Sequence, residues 1–238
     1  MKNNILTLSN VSLKLAATNK TILSDINYQA EEGDFIVILG SNGSGKSSLL
    51  KLINGFYQAT SGCVSIKSSG SVKTLTQNCH ESLFTSLTVL ENYLVVKHAQ
   101  SGKLLASSTQ LERDFFAYYL VKFNPALATK LDQLVGQLSG GEQQALALAL
   151  TVLYPPRILL LDEHTSALDP NTASRLMELT HDITQEFGIT CLLTTHDLTI
   201  AKKYGNRVLA LRQGKIHQQI DHAAKNSVTP QSLLAACY

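Results

Sequence analysis

Apolar and polar positions alternate near the start of the chain and then give way to continuous apolar runs. Residues 5–15 and 21–28 alternate, which predicts two strands that each bury one face. Residues 34–39 read DFIVIL, a β-branched run that is typical of a strand buried on both faces. The glycine-rich segment GSNGSGKSS follows directly, and residues 48–53 then have helical spacing. The pattern therefore predicts a strand, a glycine-rich loop and a helix in succession.

The rest of the chain predicts a helical insert followed by alternating strands and helices. Residues 78–137 lack strong β runs, and residues 111–123 have helical spacing, so we expect a mostly helical insert. The later elements are predicted as a helix at 141–153, a strand at 157–161, a helix at 171–187, a strand at 190–195, a helix at 198–204 and a hairpin of 208–212 with 215–219. This alternation favours an α/β fold with a mainly parallel sheet covered on both sides, in one domain over residues 1–238.

Composition narrows the class of protein. Apolar residues make up 44% of the 238 residues and charged residues 16%, which is an ordinary globular balance. The formal charge of +2 is too small to indicate nucleic-acid binding. No apolar run approaches the roughly 20 residues of a membrane-spanning helix. We therefore expect a protein on the cytosolic side that is not itself inserted in a membrane.

The glycine-rich loop fits the pattern G-x-x-x-x-G-K-[ST]. Glycines let successive backbone N–H groups curl toward phosphate oxygens, and the following helix adds its positive dipole end. Lys46 is expected to reach the β- and γ-phosphates, and Ser47 to bind Mg²⁺. A glycine-rich turn without a ligand is the alternative, but the flanking strand and helix favour phosphate binding. The predicted ATP-binding residues of the loop are Gly40, Ser41, Asn42, Gly43, Ser44, Gly45, Lys46, Ser47 and Ser48.

Two carboxylates and a histidine end the apolar run ILLLDEH at residues 158–164. A phosphate loop needs a metal-binding carboxylate at the tip of a neighbouring strand, and Asp162 fits that role. The side chain of Glu163 points elsewhere and could polarise an attacking water. From the phosphate loop alone, Glu163 could equally be a solvated loop residue.

Further motifs identify a family. LSGGEQ at residues 138–143 precedes the ILLLDE strand by one helix, SALD at 166–169 and TTHD at 194–197 follow it, and a single Gln77 lies in TLTQN. This set, in this order, resembles the ATP-binding cassette (ABC) ATPase family over about residues 5–219. The resemblance implies a P-loop NTPase of the ABC type, with an N-terminal antiparallel β part and a helical insert.

The resemblance also implies how such a chain assembles. Family members work as head-to-tail homodimers that sandwich two ATP molecules, each held by the P-loop of one subunit and the LSGGEQ of the other. Ser139, Gly140 and Gly141 would cap the γ-phosphate across the dimer. Bare glycine N–H groups at a helix N-terminus suit an anion. Asp169 would link the two sites across the dimer.

The catalytic roles follow from the same resemblance. Glu163 would be the general base, and His196 would contact the γ-phosphate and hold both the water and Glu163. Gln77 would touch Mg²⁺ or the water and sense the transport partner. The predicted Mg²⁺ site therefore consists of Ser47, Gln77 and Asp162.

His164 and residues 13–20 are among the features that depart from the common family pattern. Many members carry proline where this chain has His164, for which we favour a structural role in the turn over a catalytic one, because the base position is filled. Many members stack adenine on an aromatic side chain upstream of the P-loop. Residues 13–20 contain none, so adenine would rest on an aliphatic side chain such as Leu15 or gain its partner elsewhere.

We expect an ATPase subunit that powers solute transport through separate integral membrane permease subunits, with or without a solute-binding protein. Its place would be the cytoplasmic side of the inner membrane, as a peripheral protein. The run LTVLEN at 87–92 locates the expected docking surface at residues 78–92, where His80, Phe84 and Leu87 could face the permease or belong to the core. DEHTSALDPNTA, together with YGNR at 204–207, resembles a bacterial importer subgroup linked to uptake of amino acids, aromatic ones among them, or of other small organic solutes.

Three other functions are weighed against an importer. A soluble ABC ATPase that serves protein or iron–sulfur cluster assembly would have soluble partners. An ABC exporter subunit would share every motif. A P-loop kinase is disfavoured by LSGGEQ and by the position of Glu163 directly after Asp162.

Overall fold

The computed structural model describes residues 3–15, 19–67, 71–78, 81–102 and 108–221. The strands are β1 (Asn4–Leu15), β2 (Lys20–Glu31), β3 (Phe35–Leu39), β4 (Ser61–Ile66), β5 (Val72–Thr76), β6 (Ile158–Asp162), β7 (Thr190–Thr195), β8 (Arg207–Arg212) and β9 (Lys215–Ile220). The helices are α1 (Lys46–Ile53), α2 (Val89–Ser101), α3 (Gln110–Val121), α4 (Pro125–Ala128), α5 (Gly140–Val152), α6 (Pro170–Glu186) and α7 (Leu198–Lys203). A short 3-10 helix at Val135–Gln137 precedes α5.

The chain divides into two compact units. Unit 1 comprises the described residues of Met1–Thr74, Pro156–Glu163 and His181–Tyr238, and unit 2 comprises Leu75–Pro155 and His164–Thr180. No helix among the described residues combines the length and the apolar character needed to cross a bilayer.

Unit 1 begins with a three-stranded antiparallel sheet in the order β2-β1-β4. Apolar side chains of β1 are buried at Leu6, Leu8, Val11 and Leu13, as the alternation predicts. The ladder between β1 and β2 has register shifts, and Asn10 adopts a positive φ of 50° at one of them. Bulges of this kind bend an edge sheet without breaking its pairing.

The second sheet has the order β5-β6-β7-β3-β8-β9. The strands β6, β7, β3 and β8 pair in parallel, and β9 returns antiparallel to β8 as the predicted hairpin. All five residues of β3 and all six of β7 are buried, as expected for strands that are covered on both faces. The observed fold is thus the predicted α/β class with a mainly parallel sheet.

Helix α1 shares one hydrophobic core with both sheets of unit 1. Four of its side chains, at Leu49, Leu50, Leu52 and Ile53, are buried in the same cluster as Ile36 and Ile38 of β3 and apolar residues of β1 and β2. Because α1 is anchored along its length, its first turn has a fixed position at the end of β3. That fixed first turn is what positions the loop between the two elements.

Unit 2 contains α2 to α5 and the beginning of α6. The helices α2, α3 and α5 each begin with a capping box, at Thr88, Thr109 and Ser139. Aromatic rings of Tyr93 and Phe116 stack with centroids 4.3 Å apart and join α2 to α3. The chain before α2 pairs with the chain before α5 through backbone hydrogen bonds.

Candidate active site

The loop between β3 and α1 is shaped by its glycines. Gly45 is the N-cap of α1 with φ 107°, a conformation that favours glycine, and no side chain caps the helix. A Cβ at Gly40 would lie 2.4 Å from the carbonyl oxygen of Leu211. The loop therefore tolerates no larger residue there, and the first N–H groups of α1 stay available for an anion.

Lys46 lies at the centre of this loop and is buried to 5% exposure. Its Nζ donates to the carbonyl oxygens of Gly40 at 2.9 Å and Ser41 at 3.3 Å. The same nitrogen lies 3.4 Å from Glu163 Oε1. Among the described residues, the buried hydroxyl of Ser44 has no hydrogen-bond partner, which fits a loop built to donate to a phosphate group.

Asp162 ends β6 beside the loop. Its Oδ1 accepts hydrogen bonds from Ser47 Oγ at 3.0 Å and from Thr194 Oγ1 at 2.6 Å. A carboxylate and a hydroxyl within hydrogen-bond distance of each other are the hard oxygen donors that Mg²⁺ prefers. These two residues fit the predicted metal site, and Thr194 holds the carboxylate in place from β7.

Glu163 occupies a strained turn directly after β6. Its φ is 47°, which is uncommon for a residue other than glycine. The backbone N–H of Glu163 donates to the carbonyl oxygen and to Oγ1 of Thr194, both at 3.2 Å. Strain of this kind persists only where surrounding contacts fix it, and it concentrates at active sites.

His196 follows β7 on the other side of Glu163. Its Nδ1 lies 3.7 Å from Glu163 Oε2, while Lys46 approaches Oε1. The carboxylate is thus flanked by an ammonium group and an imidazole. Because 59% of the His196 side chain is exposed, it can turn toward a ligand in front of the loop. Unit 1 brings together the P-loop, Asp162, Glu163 and His196.

Unit 2 holds the LSGGEQ segment. Ser139 is the N-cap of α5, and Gly140 and Gly141 form its first turn. A Cβ at Gly141 would lie 2.6 Å from Thr172 Cγ2 in the first turn of α6, so this glycine allows the two helix starts to approach closely. Asp169 accepts from the backbone N–H groups of Asn171 and Thr172 and thereby caps α6. A hydrogen bond from the Thr172 side chain, followed by these backbone hydrogen bonds, lowers the pKa of Asp169.

Gln77 lies just after β5, with an exposed side chain. Its carbonyl oxygen accepts from Gln144 Nε2 at 2.8 Å. Gln144 is almost fully buried on α5, so α5 fixes the backbone of the Gln77 loop. Gln144 was not predicted to hold the Gln77 loop in place. Its position directly after LSGGEQ was the signal that could have indicated this role.

His164 begins the part of the chain that leads to α6 within unit 2. Its side chain is 1% exposed, and Nε2 lies 3.3 Å from Thr180 Oγ1. The Thr180 hydroxyl donates to the carbonyl oxygen of Leu176 at 2.7 Å, so it accepts from His164. Nδ1 has no partner among the described residues, and burial lowers the pKa of His164 to about 4. The favoured structural role fits this geometry, though the bond reaches α6 rather than the turn.

Comparison with known proteins decides the family. The sequence pattern that defines the ABC transporter family matches residues 23–166, which is more than half of the chain. The chain belongs to the ABC transporter family. Within that family it is an ATP-binding subunit, and the ATP-binding proteins of ABC transporters hydrolyse ATP.

Individual relatives agree with this assignment. The ABC subunit is 34% identical to the tyrosine transport ATP-binding protein of Clostridioides difficile (strain R20291), covering 90% of both chains. It is 32% identical to the phosphonates import ATP-binding protein PhnC 2 of Oceanobacillus iheyensis, covering 82% of both chains. Among solved structures, the dimeric post-hydrolysis state of the ATP-binding cassette MJ0796 with ADP and Pi superposes with a TM-score of 0.75 at 27% identity, covering 92% of this chain and 99% of that chain.

Proposed function

We propose that this ABC subunit powers the import of a small organic solute, with an amino acid as the first candidate. The relatives named for tyrosine transport and for phosphonate import support this solute class. The dimeric state of the MJ0796 cassette supports a homodimer, for which we propose a head-to-tail arrangement with two ATP molecules between the subunits. Solute specificity would reside in separate permease subunits, with or without a solute-binding protein.

The observation that carries the hydrolytic mechanism is the placement of Glu163 between Lys46 and His196. The β- and γ-phosphates of ATP compete for the Lys46 ammonium, because they present more negative charge than one carboxylate. Once Lys46 turns to the phosphates, Glu163 is released to accept a proton from the attacking water. His196 then holds that carboxylate and contacts the γ-phosphate.

Ser47 and Asp162 are the described residues of unit 1 that would hold Mg²⁺, and Gln77 is the proposed third contributor. A bound Mg²⁺ neutralises charge on the β- and γ-phosphates during phosphoryl transfer. Thr194 fixes the Asp162 carboxylate by a 2.6 Å hydrogen bond. The role of Thr194 is thus to orient the carboxylate rather than to bind the nucleotide.

The second half of each composite site would be the LSGGEQ segment of the partner subunit. Ser139 provides a hydroxyl at the N-terminus of α5, and Gly140 and Gly141 provide N–H groups without side chains in front of them. Helix N-termini of this kind favour anions, which fits capping of the γ-phosphate across the dimer. Asp169 would join the two sites. Adenine would rest on aliphatic groups such as Leu15, which is half-buried at the end of β1.

Residues 78–92 remain the proposed docking surface for a permease at the cytoplasmic face of the inner membrane. Phe84 is exposed and Leu87 is half-buried, while His80 lies outside the described residues. The amide of Asn92 bonds both the N–H and the carbonyl oxygen of Phe84, so the loop presenting this ring is fixed. An exposed aromatic ring on a fixed loop suits a protein partner, and no role in nucleic-acid binding is proposed.

The test replaces Glu163 by Gln, which keeps the shape and removes the base. We expect the turnover number for ATP to fall at least a hundredfold, since a general base contributes about 10²–10⁴-fold. The variant should form a dimer in ATP that is visible by size-exclusion chromatography with light scattering. Glu32→Gln, an exposed carboxylate of unit 1, is the matched control and should behave as the unchanged protein. A Glu163→Gln protein that hydrolyses ATP normally, or never dimerises in ATP, would refute the mechanism.

A further inference from the structure

Ser139 of the LSGGEQ segment is held by a carboxylate in the first turn of α5. Glu142 Oε2 accepts from the backbone N–H of Ser139 and from its hydroxyl, both at 3.0 Å. The N–H of Glu142 lies 3.4 Å from Ser139 Oγ and completes a capping box. The single hydroxyl proton of Ser139 is therefore directed at Glu142 in this structure.

Lys130 holds the other oxygen of the same carboxylate. Its Nζ donates to Glu142 Oε1 at 2.6 Å, and both side chains are partly shielded from solvent. Burial acts to raise the pKa of Glu142, but the hydrogen bonds from Lys130 and Ser139 outweigh it, so that this pKa is lowered overall. Glu142 therefore carries a negative charge that is held between Ser139 and Lys130.

The backbone around Lys130 is also fixed. Its N–H donates to the carbonyl oxygen of Leu127, and its own carbonyl accepts from Gln133. The following residues pair with the start of α2, since Leu90 donates to Leu131 at 2.9 Å and Val89 donates to Gln133 at 3.0 Å. Because the backbone of this turn is fixed, only the Lys130 side chain has to be ordered to hold its ammonium group at Glu142.

Phosphate oxygens accept hydrogen bonds and carry negative charge, whereas Ser139 has one proton to donate. Binding of a γ-phosphate requires the hydroxyl to leave Glu142, which then faces a polyanion with one donor fewer. Lys130 keeps Glu142 paired and offsets its charge during this exchange. We propose that Lys130 is a positioning residue for ATP capture, which acts through Glu142 to let the Ser139 hydroxyl turn to the nucleotide.

This inference rests on the proposed role of Ser139 in binding ATP across the dimer. The experiment measures the ATP concentration that gives half-maximal dimer in the Glu163→Gln background, by light scattering. Lys130→Ala should raise that concentration about tenfold, the size expected for one charged hydrogen bond. Lys130→Arg keeps the charge and the donor and should restore most of the effect.

Glu142→Gln distinguishes a role of Lys130 in offsetting the Glu142 charge from a role in which Lys130 only stabilises the start of α5. Glutamine retains an oxygen for the Ser139 N–H but carries no charge for a lysine to offset. Adding Glu142→Gln to Lys130→Ala should therefore bring the ATP requirement back to within about twofold of that of the Glu163→Gln protein with Lys130 and Glu142 unchanged. If Lys130 only staples the helix, the loss persists when both residues are changed, and the proposal is wrong.

The chain offers a matched control in α3. Lys97 of α2 contacts Glu112 of α3, which forms the capping box with Thr109, so the same arrangement exists away from LSGGEQ. Lys97→Ala should leave the ATP requirement unchanged, and an equal effect of both lysines would overturn the inference. Ser139→Ala tests the underlying site: no effect of that change would remove the proposed role of the signature serine, whereas an effect of Ser139→Ala without one of Lys130→Ala would remove the role of Lys130 alone.

Discussion

Single residues of this protein owe their chemistry to contacts with side chains far away in the sequence. Asp162 and Glu163 are adjacent, yet one faces Ser47 and the other faces Lys46 and His196. Thr194 fixes both, through its hydroxyl to Asp162 and through its carbonyl oxygen to the N–H of Glu163. The proposed division between metal binding by Asp162 and water activation by Glu163 thus depends on the strained turn and on β7.

His164 leads to a prediction about pH. Its pKa is about 4 in the folded chain and near 6.5 when exposed, because burial disfavours the charged imidazole. Between these values the unfolded chain binds the extra proton, so stability is fully present above pH 6.5 and is lost as the pH falls toward 4. The expected loss from this group reaches at most about 1.4 kcal/mol per pH unit.

Urea unfolding of the unchanged protein and of His164→Gln at pH 7.5, 6.0 and 5.0 checks this prediction. Glutamine does not titrate and can still reach Thr180. The stability of the unchanged protein relative to the variant should fall as the pH is lowered. Parallel pH profiles of the two proteins would show that His164 titrates normally and that its burial is irrelevant.

At the scale of elements, the starts of α5 and α6 depend on one close approach. Gly141→Ala would place a methyl group 2.6 Å from Thr172 Cγ2, so that either Thr172 rotates or the helices separate. We expect the free energy of unfolding to fall by about 1–3 kcal/mol, as is typical of overpacking. Urea unfolding of the purified variants measures this change.

Two further variants test whether the loss of stability comes from the contact between Gly141 and Thr172. Thr172→Ser removes the obstructing methyl group and should restore most of the stability lost by Gly141→Ala. Gly140→Ala, whose new methyl group would meet nothing closer than 3.8 Å, should cost little or nothing. The prediction fails if Gly140→Ala is as damaging as Gly141→Ala, or if Thr172→Ser gives no recovery.

The sequence predicts some elements well and others not at all. β3, α1 and β7 were predicted nearly to the residue, because runs of apolar and β-branched residues and the P-loop motif define them locally. β4 and β5 were not predicted, since β4 lies at a sheet edge with mostly exposed side chains and β5 has only one fully buried residue. Edge strands carry a weak apolar signal, and their pairing is decided by the rest of the sheet.

Across the whole molecule, the sequence likewise predicts some residues of the candidate site and misses others. Sequence motifs predicted Lys46, Asp162 and Glu163 as site residues, because phosphate and metal binding require particular residue types at fixed spacing. The supporting residues Lys130 and Gln144 were not named, because each is defined by a contact with another segment: Lys130 with Glu142, and Gln144 with the carbonyl oxygen of Gln77. Such contacts depend on tertiary structure and leave no local pattern in one sequence.

If this ATPase works on permease subunits in a membrane, it should be recovered together with them. The most direct test expresses the tagged Glu163→Gln protein in its native host, solubilises membranes gently with ATP present, and identifies co-purifying proteins by mass spectrometry. We expect a polytopic membrane protein in the ATP-trapped complex, at a level well above that in a parallel purification without ATP. Recovery of soluble partners alone, with the tagged protein absent from the membrane fraction, would contradict it.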